Sequence, residues 1–320
     1  MNTKTFQKNH RAPVLTILAI SLIAIAAIIL SQSSPSKNRN SWSFAVIGHP
    51  RANENFASNP IFIEALKEAE NLGAELLFLN GDMVLGGLES LAGIQKEWSV
   101  FDKDLKNFSG EIYHAPGNHD LSTTQMTSYY RENHPLSGSF LHKGVQFIIF
   151  NSVFPTEERG GNINEEEIAF IRRELEKYGD SIPFIFLMHH PLWANNLYPA
   201  HKKALDAVVN LANFSKNNWW DNVHPLFAKR RGFIISGDAG TKNIPYTYFE
   251  KDRVTYILSG ISASSLKDNV FLHLTVAGGD ITITPLATNH NLITYALKYF
   301  KQATLNPEYE INKLNEILSD

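Results

Sequence analysis

Six short apolar runs punctuate the chain, each closing on a loop that carries Gly, Asn, His or Asp: SFAVIG (43–48), ELLFLN (75–80), EIYHAP (111–116), VQFIIFNS (145–152), PFIFLMHH (183–190) and GFIISGD (232–238). Short apolar runs bounded by such turn residues read as strands. Two further runs, RVTYILSG (253–260) and NVFLHLTV (269–276), add strands. Ala277-Gly278-Gly279-Asp280 then turns into ITITPL, the signature of a tight hairpin. Between the runs lie helical patterns. PIFIEALKEAENLG has apolar positions at helical spacing and stops at Gly73. NEEEIAFIRRELEKYG opens with Asn164 as N-cap, places Glu167 three residues later, and stops at Gly179. Strands alternating with helices, followed by a late hairpin, predict a layered α/β sandwich in one domain. No repeat of 20–50 residues is visible, which argues against a solenoid.

The amino-terminal segment has a different character. Residues 14–30, VLTILAISLIAIAAIIL, are apolar and uncharged; with Ala12 and Pro13 they approach the roughly 20 residues of a membrane-crossing helix. A buried core helix fits poorly, because the run is apolar all round and flanked by polar linker. A cleavable signal usually has an apolar region of roughly 7–15 residues before a small-residue site; this run is longer, and IILSQSS is a poor cleavage site. The expectation is an uncleaved anchor, with a cleaved secreted form as the alternative. Lys4, Lys8 and Arg11 precede the run, while Lys37 and Arg39 follow it. That bias leans toward a cytoplasmic amino terminus and a large domain on the extracytoplasmic side. The resulting map is a short cytoplasmic terminus (1–13), a transmembrane helix (14–30), a linker (31–41), the domain (42–290) and a helical extension (291–320).

Charge divides along the same boundary. The whole chain has 29 Lys+Arg against 32 Asp+Glu, but residues 1–40 hold five bases and no acid, leaving the rest at net −8. An acidic body argues against duplex DNA or another long polyanion, so no nucleic-acid partner is expected. The chain has no cysteine, which excludes a disulfide scaffold, a thiolate metal site and a cysteine nucleophile.

Polar residues gather where the apolar runs end: His49 and Arg51, Gly81-Asp82, Gly117-Asn118-His119-Asp120, His189-His190-Pro191 and Gly237-Asp238. In open α/β sheets ligands bind beyond the carboxyl ends of the strands, where such loops converge. Each motif also has a bland account. Gly-Asp is often a tight turn, Asn-His-Asp a loop bonded to its own backbone, and a His pair before Pro a satisfied structural pair. Their arrival in order after successive strands favours the functional account.

GDMV, PGNHD and MHHPLW, with NSV after the 145–152 run and the closing hairpin, resemble the calcineurin-like metallophosphoesterases over roughly residues 42–287. The resemblance implies a four-layer αββα sandwich and a centre of two divalent metals. It implies that Asp82 bridges them, that Asn118 and His189 ligate one ion, and that His119 faces the phosphoryl group without ligating. Two close cations clamp phosphoryl oxygens and acidify a bound water for in-line attack.

The sequence departs from the family pattern at both ends of the motif series. His49-Pro50-Arg51 stands where the family has D-x-H, and Gly237-Asp238-Ala239-Gly240 where it has GH-x-H. One ion's positions therefore become His49, a possible metal ligand; Arg51, a cation; and Gly240, which has no side chain. The other's become Asp82, Asn118, His189 and Asp238, all able to coordinate Mn, Fe or Zn. The expected activity is metal-dependent phosphoester hydrolysis with one or two divalent ions. Metal-activated water attacks phosphorus, His119 is the general acid, Asp120 orients it, and Arg51 supplies the missing positive charge by gripping phosphate oxygens. The bland account of Arg51 is a surface pair with Glu54. The alternative function is a catalytically inactive, membrane-anchored ligand-binding or scaffold module.

Substrate is barely legible. Trp193, Tyr198, Trp219, Trp220 and His224 fall between the fourth and fifth motifs. Flat aromatics could cover a sugar or base, but Trp219 and Trp220 are better read as anchoring this segment to the body. The expected partners are a small phosphoester or phosphorylated envelope substrate, and a lipid bilayer through residues 14–30.

Overall fold

Alternation along β1 (Trp42–Ile47) sets the architecture, because Phe44 and Val46 enter one apolar core while Ala45 and Ile47 enter another. The computed structural model describes residues 41–153, 162–194, 217–239, 246–261 and 269–287. β2 (Leu76–Asn80) repeats the pattern: Leu76 and Phe78 face one way, Leu77 and Leu79 the other. Side chains of a strand alternate between faces, so a run apolar at every position must be covered on both sides. Full burial of each such Leu, Ile or Phe contributes roughly 1.5–3 kcal/mol.

Two mixed sheets supply that cover. The remaining strands are β3 (Glu111–Ala115), β4 (Gly138–His142), β5 (Val145–Ile149), β6 (Phe184–Met188), β7 (Gly232–Ser236), β8 (Tyr246–Lys251), β9 (Val254–Ser259), β10 (Val270–Ala277) and β11 (Asp280–Ala287). One sheet has the order β11-β10-β1-β2-β3, the other β4-β5-β6-β7-β9-β8. In the first, β1, β2 and β3 run parallel, with Val46 opposite Phe78 and Phe78 opposite Tyr113. In the second, β5, β6, β7 and β9 run parallel. The inner faces meet in a core that includes Phe44, Phe78, Phe147, Leu187, Ile257 and Leu272. Phe147 stacks on Phe78 with ring centroids 4.8 Å apart, tying one sheet to the other.

Helices cover the outer faces. On the first sheet lie α1 (Pro60–Asn71), α2 (Leu91–Leu105) and α3 (Thr124–Asn133), contributing Phe62, Trp98 and Tyr130. On the second lie α4 (Glu165–Glu176), a π-helical turn (Trp219–Val223) and α5 (His224–Phe227). The outcome is the layered α/β sandwich expected, with helices outside two central sheets. Asn59 caps α1 by accepting from the amides of Ile61 and Phe62. Asn164 and Glu167 form the expected capping box of α4. The 277–280 turn joins β10 to β11, with both central glycines at positive φ.

Trp219 is fully buried in the outer core, and Trp220 donates its indole N–H to Trp193 O at 3.0 Å, so this pair anchors its segment to the body. The expected transmembrane helix at 14–30 and the extension at 291–320 lie outside the described residues, as does Tyr198. Among the described residues no helix is long and apolar enough to cross a membrane.

Candidate metal centre and active site

Because β1, β2, β3, β5, β6, β7 and β9 share a direction within each sheet, the loops after them carry the polar motifs. The structure brings His49, Arg51, Asp82, Asn118, His119, His189 and Asp238 together around the Asp82 carboxylate. Asn80, the last residue of β2, donates its side-chain amide to Ile235 O of β7 at 2.8 Å and so joins the two sheets beneath the site.

Asp82 is the hub. It is buried, and its backbone at φ 56° lies in the left-handed region, a conformation costing about 1–3 kcal/mol for a non-glycine residue. Oδ1 lies 3.3 Å from His189 Nε2 and accepts the His119 backbone N–H at 3.0 Å. Oδ2 faces His49 Nε2 at 3.4 Å, Arg51 Nε at 3.7 Å and His119 Nε2 at 3.8 Å. Burial alone would raise its pKa, but His189, His49 and His119 outweigh burial and hold the carboxyl at about 2.

The imidazoles are set by main chain. His49 Nδ1 faces Ile261 O at 3.2 Å, His189 Nδ1 faces Asn80 O at 3.0 Å, His190 Nδ1 faces Ser152 O at 2.9 Å, and His119 Nδ1 faces Leu85 O at 2.5 Å. A carbonyl only accepts, so each Nδ1 carries a proton and each ring turns its Nε2 toward the centre. Burial lowers the pKa of His49. Burial would also lower that of His189, but Asp82 and Asp238 reverse it and raise it. His190 is lowered by burial and by the neighbouring His189.

The donors divide unevenly. Asn118 Oδ1 lies 3.2 Å from His189 Nε2 and 3.0 Å from His190 Nε2. Ligand atoms of His189, His190 and Asp238 all fall within 4.8 Å of one another. Imidazole nitrogens, a carboxylate and an amide oxygen at that spacing suit a divalent ion such as Mn, Fe or Zn, so the residues present fit one ion on this side. On the other side of Asp82 stand His49 and Arg51. Arg51 Nε is buried without a hydrogen-bond partner, and its ion-pair partner is Asp82 rather than Glu54. A guanidinium cannot ligate a cation, so the Arg51 side is poor in donors. Gly240 lies outside the described residues.

Two features differ from the sequence expectation. Asp120 does not orient the His119 ring through its side chain. Its carboxylate is fully buried and accepts four backbone amides: Asp82 N at 2.9 Å and Gly117 N at 2.8 Å on Oδ2, Met83 N at 2.8 Å and Val84 N at 3.2 Å on Oδ1. Burial and the nearby Asp82 charge push its pKa up to about 7. The ring contact is made by Leu85 O instead. His190, adjacent to the expected ligand His189, also joins the donor group. Its signal was in the sequence as the second His before Pro191, but only the Asn151-Ser152 loop determines that its Nε2 turns inward.

Gly81 shows why these positions are restrictive. It adopts φ +85°, and a Cβ there would come within 2.3 Å of His189 Nδ1.

A family model described as calcineurin-like phosphoesterase matches residues 49–260. Among solved structures, a dimetal phosphatase from Danio rerio superposes with a TM-score of 0.53 at 11% identity, covering 78% of this chain and 96% of that one. A purple acid phosphatase from yellow lupin (Lupinus luteus) seeds gives a TM-score of 0.54 at 11% identity, covering 78% of this chain and 52% of that one. At such identity these two likenesses concern the fold. No curated protein matches the chain.

Proposed function

The chain belongs to the calcineurin-like phosphoesterase family, and on that premise we propose that it hydrolyses phosphoester bonds using a single divalent ion. One observation carries this reading: metal-type donors converge on the Asn118 and His189 side of Asp82, while Arg51 stands on the other side. Asp82, Asn118, His189, His190 and Asp238 would hold the ion. A divalent ion so held supplies a Lewis acid and lowers the pKa of a bound water toward neutrality.

The chain's own residues do the rest. Arg51, whose Nε faces Asp82 at 3.7 Å, would grip two phosphoryl oxygens with its terminal nitrogens and offset their charge where a second cation would otherwise act. His119 is the most open of the imidazoles, at 32% side-chain exposure. Leu85 O holds the Nδ1–H, so in the imidazolium form it is the Nε2 proton that passes to the leaving oxygen, leaving the neutral Nδ1–H ring. Asp120 holds the Asp82–Val84 and Gly117 amides, which keeps the two loops in register.

The anchor-like run at 14–30 and the Lys and Arg residues flanking it support a single-pass protein with its large domain outside the cytoplasm. The acidic body favours a small phosphoester or a phosphorylated envelope component over a long polyanion. Mass spectrometry of the mature amino terminus tests the anchor, since a terminus near Ser31 would mean a cleaved signal. The activity is tested by metal analysis of the purified chain and by hydrolysis of p-nitrophenyl mono- and diesters with Mn or Zn. Asp82→Asn and His189→Ala should abolish both metal binding and turnover. A chain that binds no metal, and whose activity survives both substitutions, would be a non-catalytic ligand-binding member instead; the incomplete donor set around His49 and Arg51 is what gives that second reading its weight.

A further inference from the structure

Resting on the reading of His119 as proton donor, we propose that Glu97 is a positioning residue for His119, acting through the backbone of Leu85. Glu97 lies on α2 rather than in a loop that follows a strand, and its side chain is buried at 5% exposure. Its Oε1 accepts the Leu85 N–H at 2.8 Å, and the Leu85 carbonyl in turn accepts the His119 Nδ1–H at 2.5 Å. The relay therefore runs from a carboxylate, through one residue of main chain, to the imidazole.

The surrounding loop has little other freedom. Gly87 N donates to Ser122 Oγ at 2.7 Å, and Thr123 Oγ1 donates to Leu88 O at 2.8 Å. Gly86 approaches so closely that a Cβ there would lie 2.4 Å from His119 O. Residues 85–88 thus lie flat against the segment carrying His119, and Glu97 fixes the end of that loop nearest the ring.

Packing alone does not explain the residue. Its helix presents Ile94, Trp98 and Phe101 to the apolar core, and burying a carboxylate beside them costs free energy that an aliphatic side chain would not. What a carboxylate adds at position 97 is the acceptor for Leu85. Burial pushes the Glu97 carboxyl up while the Leu85 and Gly86 amides of the same loop oppose that shift. The ionised and the protonated acid both offer an acceptor oxygen, and so does glutamine.

The test compares Glu97→Met, which keeps volume and removes the acceptor, with Glu97→Gln, which keeps it; Glu97→Leu replaces the former if it fails to fold. Full-length variants are assayed with Mn on phenyl phosphate and on p-nitrophenyl phosphate. Protonation of the leaving oxygen matters far more for phenyl than for nitrophenyl. Glu97→Met should lower kcat on phenyl phosphate roughly tenfold or more, with about twofold or less on the nitrophenyl ester, little change in KM and unchanged metal content. Glu97→Gln should stay within about threefold of wild type, and Glu97→Met added to His119→Asn should cost less than about twofold more. Equal losses on both esters, or a loss that multiplies in full with His119→Asn, overturns the proposal. If the wild-type chain hydrolyses neither ester, the phosphoesterase reading fails on its own. The positioning claim is then decided in the metal-free chain by the slowly exchanging His119 Nδ1 proton in proton–nitrogen correlation spectra. Its persistence in wild type and Glu97→Gln with loss in Glu97→Met sustains the relay, whereas persistence in all three overturns it.

Discussion

Arg51 Nε stands 3.7 Å from Asp82 Oδ2, the same carboxylate oxygen that His49 Nε2 approaches to 3.4 Å. The opposite oxygen faces His189 at 3.3 Å. One carboxylate therefore meets a guanidinium on one side and a metal-type donor set on the other. If Arg51 serves the phosphoryl group rather than the ion, Arg51→Ala should leave metal content near one ion per chain. It should weaken inorganic phosphate binding and lower kcat/KM by roughly ten- to a hundredfold. Metal analysis with phosphate inhibition constants checks this; loss of metal with phosphate binding intact would remove Arg51 from the role.

Asp120 predicts a stability effect larger than its place beside His119 suggests. Asparagine has one acceptor oxygen where Asp120 has two, and turns an NH2 toward amides that are themselves donors. Of the four amides held by Asp120, two lose their partner. Asp120→Asn should cost about 3 kcal/mol, read as a lower urea midpoint, and should weaken metal binding because the Asp82 loop loosens.

Gly81→Ala should separate fold from centre. The new methyl meets the His189 ring at a backbone angle hostile to L residues, which costs roughly 1–3 kcal/mol. The expected result is a folded chain by circular dichroism with a lowered melting temperature and largely lost metal affinity. Full metal binding in a folded Gly81→Ala chain would contradict the close packing described.

Acid stability should depend on a histidine outside the centre. His114 packs 4.3 Å from His134, its Nδ1 is buried without a hydrogen-bond partner, and burial with His134 holds its pKa at about 3. The unfolded chain protonates this residue below about 6.5 while the folded one does not. Its contribution is intact above that pH and is lost as pH falls, by about 1.4 kcal/mol per unit toward pH 3. Urea midpoints between pH 7 and 4 should fall less steeply in His114→Phe than in wild type.

Much of this was legible in the sequence, for a physical reason. Strands covered on both faces must be apolar at nearly every position, so β1, β2, β5, β6, β7 and β9 stand out as uninterrupted runs. β4 and β8, at the two edges of the second sheet, did not; the Gly138–His142 run is mixed, with Leu141 among the exposed apolar residues. α2 was also missed: its opening Leu91-Ala92-Gly93 and its buried Glu97 and Asp104 blur the apolar stripe. The residues around Asp82 were readable because each follows a strand. The roles of Asp120 and Glu97 were not, since both act on backbone amides that no side-chain pattern records.

Four imidazoles in the site rest their Nδ1 atoms on carbonyls of four different segments. Tautomer choice is thereby delegated to the polypeptide scaffold, and the rings arrive already keyed. Such a mould tolerates exchange of its inserts: a histidine can stand at position 49, or an aspartate at 238, without the neighbouring loops having to be reshaped. Divergence of chemistry on a constant frame becomes a sequence of single substitutions, each testable by itself.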